Sequence, residues 1–106
     1  MTPRLASGLW VAAWLRRADL AGRPAYVLRR GDDTAGAVLV RCATLDGQAS
    51  LWARQWDFQT DTTPWVRREM GAERDIDARV RAEAAADPDL WVLEIEARDG
   101  DPLLDA

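Results

Sequence analysis

Val38-Leu39-Val40-Arg41-Cys42-Ala43-Thr44-Leu45-Asp46-Gly47-Gln48-Ala49-Ser50-Leu51-Trp52-Ala53-Arg54 is the stretch on which the fold turns. Asp-Gly is the pair a two-residue hairpin turn selects, because that turn needs positive φ. The flanks, residues 37–44 and 48–56, read as strands. Val38-Leu39-Val40 is continuously apolar. Beyond the turn, Ala49, Leu51 and Ala53 alternate with Trp52, Arg54 and Trp56, the period-two pattern of a pleated strand. One antiparallel hairpin is thereby fixed, and the remaining elements are placed around it.

Toward the N-terminus, residues 25–30 read as a strand joined to the hairpin by the turn-rich segment 31–36. Residues 7–21 read as a helix. Trp10, Val11, Trp14, Leu15 and Ala18 share one face, and Arg16, Arg17 and Asp19 the other. Ser7 is placed to cap it, and Gly22 and Pro24 to stop it.

Toward the C-terminus, residues 57–63 form a polar loop without periodicity. Residues 64–69 read as a short fourth strand, with Pro64 at its start. Residues 75–86 read as a second helix with a thin stripe of Ile76, Val80 and Ala84. Asp75 and Asp77 favour its positive end. Asp87-Pro88-Asp89 terminates it, and residues 90–97 give a fifth strand.

The order is α-β-β-β-β-α-β, and short links favour antiparallel pairing. The expected fold is α+β: a two-layer domain with a mostly antiparallel sheet of about five strands and two helices on one face. A chain of 106 residues has room for one core, assigned to residues 1–97. Residues 98–106 read as an acidic, flexible tail.

Composition excludes several chemistries. The chain has no His and no Lys, and its 14 cations are all Arg. His-based triads, zinc-histidine sites, Lys Schiff bases and P-loop lysines are therefore out of reach. A net charge of −4 argues against bulk nucleic-acid binding, which relies on neutralising phosphates. The one cysteine, Cys42, lies in an apolar run and reads as a buried small hydrophobe. A lone cysteine asks for no oxidising compartment. Arg4 followed by the apolar stretch 5–15 loosely mimics a secretion leader. Arg16 and Arg17 follow directly and no small-x-small cleavage site is well placed, so a cytoplasmic protein is expected.

The search for a site gives few candidates. Asp57, Gln59 and Asp61 match the opening of an EF-hand loop, but Thr62 stands where Gly is required and Arg68 where Glu is required. No metal site and no cofactor is expected. The serines are Ser7 and Ser50, with no His to activate either. Glu94 and Glu96 project from one strand face and could support a carboxylate-based enzyme, the weakest of the readings.

The strand pattern offers a stronger candidate. If both helices cover one sheet face, the other carries Trp52, Arg54, Trp56, Trp65 and Arg67. Trp and Arg dominate interface hot spots, so the face reads first as a protein–protein interface of a homodimer or with another protein. The alternative is a stacking platform for a small ligand or single-stranded nucleic acid. The bland reading is Arg stems lying on Trp rings at a solvated face.

The ordered set Arg4-Leu5-Ala6-Ser7-Gly8-Leu9-Trp10-Val11, Leu15-Arg16-Arg17, Arg30-Gly31-Asp32, Ala35-Gly36-Ala37-Val38-Leu39-Val40 and Asp87-Pro88-Asp89-Leu90-Trp91-Val92 resembles the bacterial domain of unknown function 1491 family. The resemblance runs over about residues 4 to 97. It implies a small bacterial protein and brings no activity, ligand or catalytic residue with it. The segment 52–64 is richer in Trp than that pattern, which would make the Trp face particular to this chain.

Overall fold

Parity along one strand decides which layer each helix joins. In the computed structural model, which describes residues 5–104, the second strand, β2 (Val38–Ala43), is buried on both sides. Val40 and Cys42 pack into one cluster with Trp10, Val11, Trp14 and Ala18 of the first helix, α1 (Ser7–Leu20). Leu39 packs into a second cluster with Leu51 and with Ile76 of the second helix, α2 (Glu73–Ala86). Adjacent strand residues point to opposite faces. The helices therefore lie on opposite faces of the sheet.

The remaining elements are β1 (Ala25–Arg29), β3 (Gln48–Arg54), β4 (Trp65–Ala72) and β5 (Trp91–Glu96), giving the order α-β-β-β-β-α-β of an α+β fold. The sheet runs β1-β5-β2-β3-β4. Every pairing is antiparallel except β2 with β5, which is parallel. The expected two-layer arrangement, with both helices on one face, is corrected to helix–sheet–helix. The physical reason is the composition of the central strands. Val38-Leu39-Val40 and Trp91-Val92-Leu93 carry consecutive apolar residues, and such strands need cover on both faces.

Local chemistry explains the helix ends. Gly22 adopts φ +70 just past α1. Its N–H donates to the Asp19 carbonyl, and the Arg23 N–H donates to the Ala18 carbonyl. This is the Schellman pattern, which favours a residue without a side chain. Helix α2 opens with Glu73 and Asp75 at its positive end and stops at Asp87, whose extended backbone suits the residue before Pro88. Arg29 of β1 seals that end. Its guanidinium donates to the carbonyls of Ala84 and Asp87, at 3.2 and 2.8 Å, and to those of Pro88 and Leu90.

Ser7 does not cap α1. The N-cap position is Ala6, with no side-chain cap. The Ser7 hydroxyl instead donates to the Gly36 carbonyl at 2.6 Å, in a buried position. The Ser7 and Gly8 amides donate to the carbonyls of Thr34 and Asp33. The loop 31–36 thus terminates the helix in place of a cap. Ser7→Ala should leave a buried carbonyl short of its donor and cost about 1–2 kcal/mol. Urea unfolding checks this, and an unchanged midpoint would show the bond to be dispensable.

Residues 98–104, read from sequence as part of a flexible tail, run back along α1. The Trp14 Nε1–H donates to the Pro102 carbonyl at 2.9 Å in the interior. Leu103 and Leu104 pack against the α1-side core. Arg23 grips Asp99 with two hydrogen bonds of 2.8 and 2.7 Å and holds that carboxyl below the ordinary range. Successive Asx turns order the segment further: the Asp101 N–H donates to Asp99, and the Leu103 N–H to Asp101.

Candidate functional site

Strands β3 and β4 bring the candidate residues together. Arg54 lies opposite Trp65 and Trp52 opposite Arg67, so these four side chains share the α1 face of the sheet. A bulge between Leu51 and Trp52 sharpens the local twist there. That face is not bare. Trp52 and Trp65 are half-buried and pack against the core that includes α1, Leu103 and Leu104. The Trp52 Nε1–H donates to the Ser50 hydroxyl at 2.8 Å. The Trp65 ring meets Trp10 of α1, with centroids 5.0 Å apart and planes tilted by 35°. Arg54 stacks its guanidinium 4.8 Å from the Trp65 centroid and donates to the Thr63 carbonyl at 3.0 Å. Arg67 is exposed.

Trp56 stands apart from the other four. It lies in the β3–β4 connection, residues 55–64, and is 61% exposed. Beside it is Phe58, 73% exposed, with ring centroids 6.4 Å apart. The connection holds its own shape. Asp57 and Thr62 form an antiparallel bridge, the Gln55 N–H donates to the Pro64 carbonyl, and the Trp56 Nε1–H donates to Asp61 at 3.0 Å. Asp57 accepts from the Gln59 amide, so both carboxylates of the EF-hand-like window serve the hairpin itself. Phe58 was not among the sequence candidates. Its signal was the i, i+2 spacing from Trp56 in a segment with backbone bridges of its own.

The other candidates have partners too. Glu94 accepts a 2.5 Å bond from Arg41, a residue only 5% exposed. The same guanidinium donates to Glu73 and Asp77 of α2, each at 2.8 Å. Burial pulls the Arg41 pKa down, but the Glu73 hydrogen bond and the Asp77 and Glu94 charges outweigh it and leave it raised. Glu96 accepts from the Tyr26 hydroxyl at 3.1 Å. Cys42 is fully buried, and burial pushes its thiol up against a smaller opposing effect of the Ser50 hydrogen bond. A raised thiol in the core is a poor nucleophile. Among the described residues, no group of three acids or thiols is placed to hold a metal ion.

At the sheet end where β2 and β4 begin and β3 finishes, a cleft of about 720 Å³ opens. Trp10, Trp65, Val38 and Leu90 line it, with Arg54 and Arg68 among its polar groups. It draws on five separate segments of the chain, so no single motif announces it.

The family described as a protein of unknown function, DUF1491, matches residues 5–105, nearly the whole chain. The chain belongs to the DUF1491 family. A crystal structure of a DUF1491 protein from Caulobacter crescentus CB15 is 41% identical, with a TM-score of 0.82 over 94% of this chain and 92% of that one. An NMR structure of a DUF1491 protein from the same organism is 40% identical, with a TM-score of 0.85 over 97% and 94%. A solution structure of a protein from A. tumefaciens is 32% identical, with a TM-score of 0.76 over 90% and 87%. No curated protein matches. The helix–sheet–helix arrangement described above is thus that of a DUF1491 domain. No helix among the described residues is long and apolar enough to cross a membrane.

Proposed function

We propose that the protein works in the bacterial cytoplasm through a protein–protein interface, with self-association as its first form. The observation that carries this reading is the Trp56–Phe58 pair. Two large aromatic side chains are 61% and 73% exposed on a connection ordered by its own hydrogen bonds. Exposed aromatics on a pre-ordered element supply contact area at little cost in ordering, which is how hot spots are built. Arg67 and Met70 are also exposed, on β4, the strand that closes the sheet on this side. Trp52 and Trp65 pack against the α1-side core and Arg54 lies on the Trp65 ring, so these three stand apart from the proposed contact surface. A cytoplasmic setting suits a single buried thiol that has no disulfide partner within the chain.

Sedimentation velocity over a wide concentration range, run beside a pull-down from bacterial extract, tests the reading. The comparison is with a Trp56→Ser/Phe58→Ser variant. These residues support little core, so the variant should fold with an unchanged unfolding midpoint. Its self-association or partner capture should weaken by roughly 30-fold or more, the loss expected from a hot spot. A concentration-independent monomer whose pull-down profile the substitutions leave unchanged would refute the proposal.

A further inference from the structure

We propose that the open edge of the sheet at β1 is a self-association surface, on which a second copy of this chain adds its own β1, antiparallel across a two-fold axis. This is the edge opposite the Trp56–Phe58 connection, so the proposal stands apart from that pair. The two edges differ in kind. β4 carries Arg67, Arg68 and Glu69, exposed charges that oppose the addition of another strand. β1 exposes Tyr26, Val27 and Leu28, with no charge among them. Among the described residues, no strand pairs with the outer side of β1.

Backbone parity decides which groups face outward. The Glu96 N–H donates to the Pro24 carbonyl at 2.9 Å, one step before the Ala25–Ile95 pair of the β1–β5 ladder. In an antiparallel ladder, hydrogen-bonded pairs alternate with pairs whose N–H and C=O groups point away from each other. Tyr26, opposite Glu94, therefore turns its backbone groups toward β5. Ala25 and Val27 turn theirs to the open edge. β5 shows the matching parity, because the Trp91 and Ala97 amides donate to Ala37 and Ala43 on the β2 side. The outward run is bounded by Pro24, which has no N–H, and by the irregularity after Val27.

Ala25 and Val27 are self-complementary. With the two-fold axis at Tyr26, Ala25 of each copy pairs with Val27 of the other, and the outward N–H and C=O groups of both residues all find partners. The small side chain then stands opposite the larger one on the α1 face, and Tyr26 meets its own copy on the other face as a cross-strand aromatic pair. An apolar groove of about 610 Å³ between α1 and β1, lined by Leu9, Ala12, Leu15 and Val27, runs along this edge. The partner's edge closes its open side. The charges fit the same symmetry. Antiparallel pairing sets Arg30, which follows β1, beside the last turn of the partner's α1, where Asp19 is exposed and the helix dipole is negative. Arg30 donates to Asp33 through its Nη2 group, and the guanidinium has further donors for that contact.

Sedimentation velocity and amide hydrogen exchange, both on the full chain over a wide concentration range, test the proposal. A reversible monomer–dimer equilibrium is expected. The Ala25 and Val27 amides should exchange more slowly as concentration rises, while the Tyr26 amide, bonded within the sheet, stays protected throughout. Val27→Pro removes an outward N–H and no bond of the β1–β5 ladder. It should weaken the dimer roughly tenfold or more, because one bond is lost in each copy. Val27→Lys, at the same exposed position, keeps the N–H but sets a charge at the seam, and should weaken the dimer to a similar extent. Trp56→Ser/Phe58→Ser should leave the concentration-dependent protection of Ala25 and Val27 unchanged. Variants are compared only where near-UV circular dichroism matches the parent. A chain that stays monomeric at every concentration, or Ala25 and Val27 amides that exchange independently of concentration, would overturn the proposal. So would association that Trp56→Ser/Phe58→Ser abolishes and a folded Val27→Lys leaves intact, a result that would leave the Trp56–Phe58 interface standing.

Discussion

Arg41→Met should lower folding stability by about 3 kcal/mol, near the low end of the loss seen when one member of a buried ion pair is removed. Arg41 is 5% exposed and satisfies three carboxylates at once: Glu73, Asp77 and Glu94. Methionine fills much of the same space but leaves the three anions facing one another across the α2–sheet interface. Glu73 and Asp77 keep 43% and 45% side-chain exposure, so water relieves part of the repulsion and holds the loss near the low end. The deficit should also depend on pH. In the variant, folding forces like charges together, so the folded chain takes up protons more readily than the unfolded one. Stability should then recover as pH falls through the carboxylate range, about pH 4, and be lost again as pH rises. Urea unfolding at neutral and acidic pH tests both parts. A loss under about 1 kcal/mol, the usual worth of an exposed pair, would show that the cluster is solvated.

Gly36→Ala should be at least as damaging, at about 3 kcal/mol or more, because the added methyl meets backbone and not flexible side chain. A Cβ at Gly36 would lie 2.4 Å from the Asp89 carbonyl oxygen and 2.8 Å from that of Asp32. The loop could yield only by giving up several bonds together. These are the Ser7 hydroxyl to Gly36, the Asp32 amide to Asp89, and the Trp91 Nε1–H to the Asp32 carbonyl at 2.8 Å. A fall in Tm of roughly 12 °C or more is expected. Gly71 provides the control. A Cβ there meets nothing within 4 Å, so Gly71→Ala should leave Tm unchanged or slightly raised. Equal behaviour of the two variants would mean that the loop 31–36 is softer than its contacts indicate.

The seven elements and their order could be read from periodicity and turn residues alone. The β2–β3 hairpin and the Trp10/Trp14 stripe are local signals, and local signals survive in a single sequence, although the turn is the three-residue Leu45-Asp46-Gly47, with positive φ at Leu45 and Gly47, and not the expected two-residue Asp46-Gly47. The fourth strand runs longer than expected, to Ala72, because Gly71 reads in sequence as a strand breaker, whereas pairing with Gln48, Ala49 and Ser50 of β3 carries the strand through it. The layering was legible in principle. Val38-Leu39-Val40 shows no alternation, and that is how a strand covered on both faces looks. The place of β5 between β1 and β2 leaves no such trace. A parallel pairing has no turn to announce it, and its partners are about fifty residues apart in sequence. Of the candidate site, the side chains of β3 and β4 were found by alternation. Their cover was missed, because Trp14 reaches Pro102 across 88 residues and nothing local encodes that contact. Ser7 was misplaced for a related reason. Serine before a helix suggests a cap, yet its acceptor lies 29 residues ahead.

An interior strand of the sheet, β5, is the last one made. During synthesis β1 emerges early, but its sheet partner is β5. β2 can close on β3 while its other side stays open, with Val38 and Val40 beside a vacant lane. A nascent chain that has reached the end of α2 therefore holds two incomplete pieces that only the final segment can join. Sheet closure must wait for release of that segment from the exit tunnel, and folding should be late and all-or-none rather than progressive. Until then the open lane is where a chaperone, or a second nascent copy, would find its grip.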